Sequence, residues 1–488
     1  MITAILLFFP AIAAMLLLFF NGKAVKKAAL LLTILEFGVA VWAFSQFSVE
    51  SGTNYALKLN WIPSLGISFN VGMDGISLLL VLLTTFLVPI IILSTLTHDY
   101  DNPGSFYALI LLMQAGLIGV FVSLDAFLFY FFWEVALIPI YFIAGLWGGD
   151  RRIEVTFKFF IYTMLGSLFM LVSLSYLYFS TPGTHSSDIK AMYNLALNAK
   201  TQGILFWGLF IAFAIKMPIF PFHTWQPDTY TESPTPATML LSGIMLKMGI
   251  YGVIRWILPI VPLGVQQWGI TVMVLSIIGI VYGAIIAVQQ NDIKRLIAYS
   301  SFSHVGLMAA GVFSLSLSGL QGSVIQMLSH GINVVGIFFI VQIISDRLHT
   351  RDITKLGGIT KNAPYLTVLF MILLLGSVAL PLTNGFIGEF LLLKGIFEYK
   401  IWMSIVAGST IIFGAVYMLR MFQKVMLGEI NELTSSINDL NLTEKLTLIP
   451  LAIMVFVIGI YPNLFLKVSE PAIVEIIKAA TNSSLGLK

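Results

Sequence analysis

Stretches of mainly apolar residues, each about 20 long, recur about fourteen times in this chain, and each is long enough to cross a hydrocarbon layer as a helix. No other feature constrains the fold as strongly. Inside lipid every backbone amide and carbonyl must be satisfied within the protein, so such segments fold as a bundle of helices. They lie near 2–20, 27–47, 77–96, 106–122, 125–147, 157–180, 203–222, 236–257, 268–289, 295–315, 324–345, 364–398, 401–425 and 446–466. The intervals between them are short. Residues 1–488 therefore read as a single membrane domain, an all-α polytopic protein of about fourteen transmembrane helices.

Composition agrees. The chain is 58% hydrophobic and 10% charged, where soluble domains carry about 25% charged residues. A net charge of +3 with no basic stripe gives no reason to expect a nucleic-acid partner. There is no cysteine, which excludes disulfides and cysteine-ligated iron–sulfur or metal sites on this chain. Redox chemistry is expected on other chains. The run from Ile2 to Phe20 has no basic residue before it, unlike a secretory signal, and reads as a retained helix.

Lys and Arg in short loops orient such a bundle. Lys23, Lys26 and Lys27, Arg151 and Arg152, Lys294 and Arg295, and Arg347, Arg351, Lys355 and Lys361 all fall on one side if every segment crosses once. That side is expected to be cytoplasmic, with both termini outside. One loop on that side, 223–235, has no Lys or Arg. On the other side, residues 53–71 alternate apolar and polar around Pro63-Ser64 and read as a β-hairpin. Residues 181–202 read as a polar loop with one short helix.

Two segments are interrupted. In the seventh, Pro218 and Pro221 follow Lys216, and the carbonyls of Ala214 and Met217 are expected to lose their amide partners. In the twelfth, Pro381, Gly385 and Gly388 precede Glu389. Broken helices at membrane depth are tolerated where backbone faces protein or a water-filled cavity. A matching pair in two halves of a chain points to inverted repeats with an ion path near mid-membrane. The repeats would be helices 4–8 and 9–13, residues 106–257 and 268–425.

Six ionisable side chains lie deep in apolar segments: Glu134, Lys216, Lys247, His304, His330 and Glu389. Each costs about 2.5–3.5 kcal/mol at a helix centre on insertion scales, so six of them suggest a polar path. Glu134 in FYFFWEVALIP either holds two helices together as an ion pair with Lys216 or tunes that lysine's hold on its proton. Lys216 either serves in that way or snorkels to the surface. Lys247, between small residues in LLSGIMLKMGIYG, is too deep to snorkel. His304 and His330 suit a proton relay, or each is bonded to a neighbouring helix. With no HExxH and the histidines on separate helices, metal binding is not expected. Glu389 follows the second break; Lys394 beyond it is expected to snorkel. Glu36 reads as structural, Asp74 as a helix start, and Asp292, Lys294 and Arg295 as a cap and interfacial anchor.

Residues 216–252, KMPIFPFHTWQPDTYTESPTPATMLLSGIMLKMGIYG, and 291–308, NDIKRLIAYSSFSHVGLM, closely resemble the antiporter-like subunits of respiratory complex I. Residues 131–149 and 385–397, FFWEVALIPIYFIAGLWGG and GFIGEFLLLKGIF, are similar to the subunit M (subunit 4) family of bacterial NADH-quinone oxidoreductase. The resemblance implies fourteen helices with inverted repeats at helices 4–8 and 9–13. It also implies that Glu134, Lys216, Lys247, His304, His330 and Glu389 form a proton-transfer path. Glu389 stands where the sibling subunits L and N usually have lysine. The implied function is a proton-translocating membrane-arm subunit in the bacterial inner (plasma) membrane, with NADH, flavin, iron–sulfur clusters and quinone on other subunits and subunits L and N among its partners. The alternatives are a subunit of a multi-subunit sodium/proton antiporter, a membrane-bound hydrogenase subunit, or a structural spacer.

Overall fold

The path of the chain follows from where helices are capped and where proline interrupts them. The structure is a computed structural model that describes residues 1–20, 22–50 and 52–482. In chain order the elements are α1 (Ile2–Leu17), α2 (Lys23–Ser45), β1 (Asn54–Ile62), β2 (Ile67–Met73), α3 (Gly75–Ser94), α4 (Pro103–Val122), α5 (Ala126–Trp147), α6 (Arg152–Ser180), α7 (Ile189–Tyr193), α8 (Ala199–Lys216) and α9 (Trp225–Glu232). There follow α10 (Thr235–Leu240), α11 (Lys247–Gly252), α12 (Pro262–Gln289), α13 (Ile293–Phe313), α14 (Leu317–Leu348), α15 (Pro364–Ser377), α16 (Asn384–Tyr399), α17 (Ile401–Met426), α18 (Leu442–Ile460) and α19 (Asn463–Asn482). The protein is mostly helical. Among the described residues, 11 helices are long and apolar enough to cross a membrane; α1 and α15 are apolar but shorter.

Side-chain caps set many of the boundaries. Asp74 accepts from the amides of Ile76 and Ser77 at the start of α3, Asp125 from Phe127 and Leu128 at α5, and Asp292 from Arg295 at α13. Asn441 and Glu444 form a reciprocal capping box at α18. Each such cap contributes about 1 kcal/mol. The caps place the starts of α3, α13 and α18 a few residues ahead of the apolar runs that mark those segments in sequence.

The hairpin forms as its alternation predicts. β1 and β2 pair antiparallel with Leu57 opposite Val71 and Leu59 opposite Phe69. Asp125 ties it to the bundle, accepting from the Ser68 amide at 3.1 Å and from the hydroxyls of Ser68 and Ser187. Lys58 pairs with Asp188, the cap of the short helix α7, at 2.8 Å.

Position in the bundle follows side-chain polarity. α14 is buried along its whole apolar stretch, packed on α13, α15, α16 and α18. α6 and α17 lie outside and expose Val172, Phe179, Ile405 and Ile412, the surface expected against lipid. The face that carries the basic residues is laced with ion pairs. Asp228 on α9 meets both Lys158 and Arg295, Glu232 meets Arg151, Asp292 meets Arg351, and Glu444 meets Arg347. The loop without Lys or Arg thus supplies acidic partners for its neighbours.

Both interruptions are present, with details that differ from expectation. After α8 the Ala214 carbonyl is not freed, because the Ile219 amide reaches back five residues to it at 2.8 Å. The indole of Trp225 donates to the Ile215 carbonyl at 2.9 Å. Between α15 and α16 the break occupies residues 378–383. It includes Ala379 and Leu382 at φ 59 and 74, strained positions for residues with side chains. Gly385 and Gly388 are not part of this break. They lie inside α16, where a Cβ on Gly385 would sit 2.0 Å from the Gly376 carbonyl oxygen. They allow helices to approach rather than ending one.

Past the last apolar segment, sequence periodicity missed α19. It is amphipathic rather than spanning. It buries Phe465, Ser469, Ile473 and Ile476 and packs on α3, α14 and α12 at the hairpin face.

Candidate functional site

Lys247 owes its setting to an irregular helix. Between α10 and α11, residues Leu241–Met245 form a turn of π-helix. There the Leu246 amide donates to the Leu241 carbonyl, five residues back, at 3.1 Å. Lys247 Nζ donates to the Ser242 carbonyl at 2.6 Å. π-Turns of this kind often mark functional positions. Lys247 is wholly buried. Its Nζ also lies 3.0 Å from His330 Nδ1 on α14.

From His330 the line continues to α13 and α16. The rings of His330 and His304 are 5.9 Å apart, tilted by 57°. His304 Nδ1 lies 3.1 Å from Glu389 Oε1, as an ion-pair contact whose angles do not meet hydrogen-bond geometry. Lys247, His330, His304 and Glu389 are therefore brought into one run, with Glu389 2% exposed. A cavity of about 10 Å³ adjoins the two histidines, bounded by Gln326, Asn333, Ser300 and the broken end of α15 at Gly376 and Ser377. That is room for about one water centre. His330 Nε2, Ser301 Oγ and Gln326 Oε1 are buried here without protein hydrogen-bond partners, and buried polar atoms of this kind are normally satisfied by water.

Lys216 and Glu134 stand apart from this run. Lys216, at the end of α8, is 1% exposed, and its Nζ lies 5.2 Å from the centre of the Trp133 ring. It does not snorkel. The carboxylate of Glu134, next to Trp133 on α5, is near enough for its field to act on the ammonium. The two are not in ion-pair contact, and neither Lys216 Nζ nor Glu134 Oε1 has a hydrogen-bond partner. α11 packs against the end of α8, so closely that a Cβ on Gly249 would be 2.7 Å from Met217 Cβ. No protein hydrogen bond joins Lys216 to Lys247.

The structure adds residues that sequence reasoning passed over. Tyr417 on α17 hydrogen-bonds Ser300 at 3.0 Å. Asn333 and Asn384 exchange amide hydrogen bonds at 3.0 and 3.1 Å and tie α14 to the start of α16. A signal existed: Gln326, His330 and Asn333 stand at i, i+4 and i+7, one polar stripe on an otherwise apolar helix. Glu36 accepts from Gln114 at 3.0 Å. Lys294 is no interfacial anchor. It is buried, donates to the Ser233 carbonyl at 2.6 Å, and borders a 280 Å³ cavity at the basic face with His98, Asp346 and Arg351. Lys394 is half exposed beside Glu398.

Known proteins share both sequence and fold. Residues 123–458 match the family described as NADH:quinone oxidoreductase/Mrp antiporter, transmembrane. NADH-quinone oxidoreductase subunit M of Rickettsia prowazekii is 41% identical over 479 residues, covering 96% of each chain. That of Rhodobacter capsulatus is 38% identical, covering 93% of this chain and 90% of the relative. A chain of respiratory complex I from Thermus thermophilus with bound NADH superposes with a TM-score of 0.92 at 29% identity, covering 98% of this chain and 100% of that one. With more than two-thirds of its length inside the family match and near-complete overlap with its relatives, the chain belongs to the NADH:quinone oxidoreductase/Mrp antiporter transmembrane family.

Proposed function

We propose that the chain is a proton-translocating membrane subunit of an NADH-quinone oxidoreductase. The observation that carries this is the run Lys247–His330–His304–Glu389, with contacts of 3.0 and 3.1 Å at its ends and the two histidine rings 5.9 Å apart between them. Subunit M relatives that match nearly the whole chain support it. NADH oxidation and quinone reduction, with flavin and iron–sulfur clusters, take place on other subunits, and antiporter-like subunits L and N are its membrane-arm neighbours.

Adding α1 and the two interrupted segments to the 11 spans gives fourteen crossings. Residues 106–257 and 268–425 are the inverted repeats, each with one broken helix. The basic face is cytoplasmic in a bacterial plasma membrane, and both termini are outside. Protons reach Lys216 and Lys247 from that face. Glu134 sets how firmly Lys216 holds its proton. Lys247 passes charge to His330, His304 relays it to Glu389, and Glu389 releases it outward beside the break at 378–383.

The test is proton uptake by vesicles that hold the complete complex, driven by NADH and quinone. Lys247→Ala should assemble and lose most pumping. An assembled Lys247→Ala complex that pumps like the parent would falsify the reading.

A further inference from the structure

A second polar cluster follows Lys247 along the chain, toward the hairpin face. Tyr251 is four residues on, one turn along the same side of the helix. Its hydroxyl donates to the Phe121 carbonyl at 2.8 Å and lies 3.1 Å from Ser77 Oγ. Arg255 is a further turn on, within the π-turn Val253–Ile257. Its guanidinium lies 5.6 Å from the Tyr251 ring, donates to Ser77 Oγ at 3.4 Å, and pairs with Asp74. Beyond the pair is a 780 Å³ cavity at the hairpin face, bordered by Asp74, Arg255, Tyr193, Glu50, Glu475 and Lys190.

Without the arginine, this would be a short way out. Tyrosine and serine hydroxyls both donate and accept, so Tyr251, Ser77 and Asp74 could hand a proton from the vicinity of Lys247 to the cavity. A guanidinium cannot take part, because it does not deprotonate in proteins. A fixed positive charge at such a constriction also repels protons and other cations. The charge is itself buried, and Arg255 Nε has no hydrogen-bond partner. Such a group is retained at a cost in desolvation. The Asp74 cap on α3 holds it in place.

We propose that the Arg255–Asp74 pair is an electrostatic stopper, which keeps protons near Lys247 from escaping directly to the hairpin face and so commits them to His330. This rests on the reading of Lys247 as a proton carrier. Arg255 is a positioning residue here, acting on where charge can go rather than carrying it.

The test is passive proton leak through the complete complex in vesicles, with no NADH or quinone, under an imposed pH gradient with the membrane potential clamped. The neutral pair Asp74→Asn with Arg255→Gln keeps hydrogen-bonding groups in both places, so it should assemble. Arg255→Gln alone serves as a second leak variant, and Arg255→Lys retains the charge. Either neutralised variant should leak severalfold faster than the parent, and Arg255→Lys should stay tight. Adding Lys247→Ala to the neutral pair should return the leak to the parental level. Parental leak in an assembled neutralised variant, or a raised leak that persists without Lys247, would overturn the stopper. The function of Lys247 is judged separately, by NADH-driven pumping of the single Lys247→Ala variant.

Discussion

Lys247 Nζ and His330 Nδ1 are 3.0 Å apart in a fully buried site, with the Ser242 carbonyl as the other partner of the lysine. Two positive charges at that separation repel by about 5 kcal/mol at an effective dielectric constant near 20. That repulsion disfavours both groups being charged at once, so on the proposed function the two act on a single proton. The pair should fail as a unit. Lys247→Ala and His330→Ala should each remove most proton pumping, and the double variant should be no worse than the poorer single. Additive losses in a double-mutant cycle of NADH-driven proton uptake would show that the two act independently.

Glu389 should behave as a carrier and not only as a charge. Glu389→Gln keeps size and removes the titratable group 3.1 Å from His304. It should assemble, as seen on native gels, and pump at a small fraction of the parental rate. Glu389→Lys restores a titratable group and should recover part of that rate. Parental pumping by an assembled Glu389→Gln complex would move the exit elsewhere.

The Glu134–Lys216 relationship is through space rather than through contact, so its loss should be graded. Glu134→Gln removes the field on Lys216 while leaving Trp133 over the ammonium. The complex should assemble in normal yield and pump more slowly. A defect in assembly larger than the defect in pumping would make Glu134 a structural residue.

Gly385 should tolerate no side chain. A Cβ there would meet the Gly376 carbonyl oxygen at 2.0 Å, which is backbone and cannot step aside. Gly385→Ala should destabilise the α15–α16 junction by about 1–3 kcal/mol, the usual cost of overpacking. Thermal unfolding of the purified complex checks this; an unchanged midpoint for this subunit's dissociation would contradict the close approach.

What the sequence disclosed and what it hid have separate causes. Apolar length reports burial in lipid directly, so the spans were legible, and strict alternation made the hairpin legible. The cost of a buried charge made Lys216, Lys247, His304, His330 and Glu389 stand out one by one. Their order in space was not legible, since it depends on α13, α14 and α16 meeting across large sequence separations. The π-turn at Leu241–Met245 has no proline to announce it. Arg255, close to the end of its segment, was not singled out, and only the position of Asp74 reveals its pairing. α19 escaped because Lys467, Glu470, Glu475 and Lys478 break up its apolar residues.

The ion pairs of the basic face have a consequence for how orientation is written into a chain. Lys and Arg residues steer topology while segments are still being handed to the bilayer, before any partner is near. Once the bundle closes, Arg151, Lys158, Arg295, Arg347 and Arg351 all meet carboxylates, two of them the same Asp228. On the proposed orientation the signal would act during biogenesis and be muted afterwards by these pairs. The finished surface presents to ions and partners a far more balanced field than a count of its basic residues suggests. Topology and working electrostatics can thus evolve separately, with each acidic residue on α9 free to change the second while the first stays fixed.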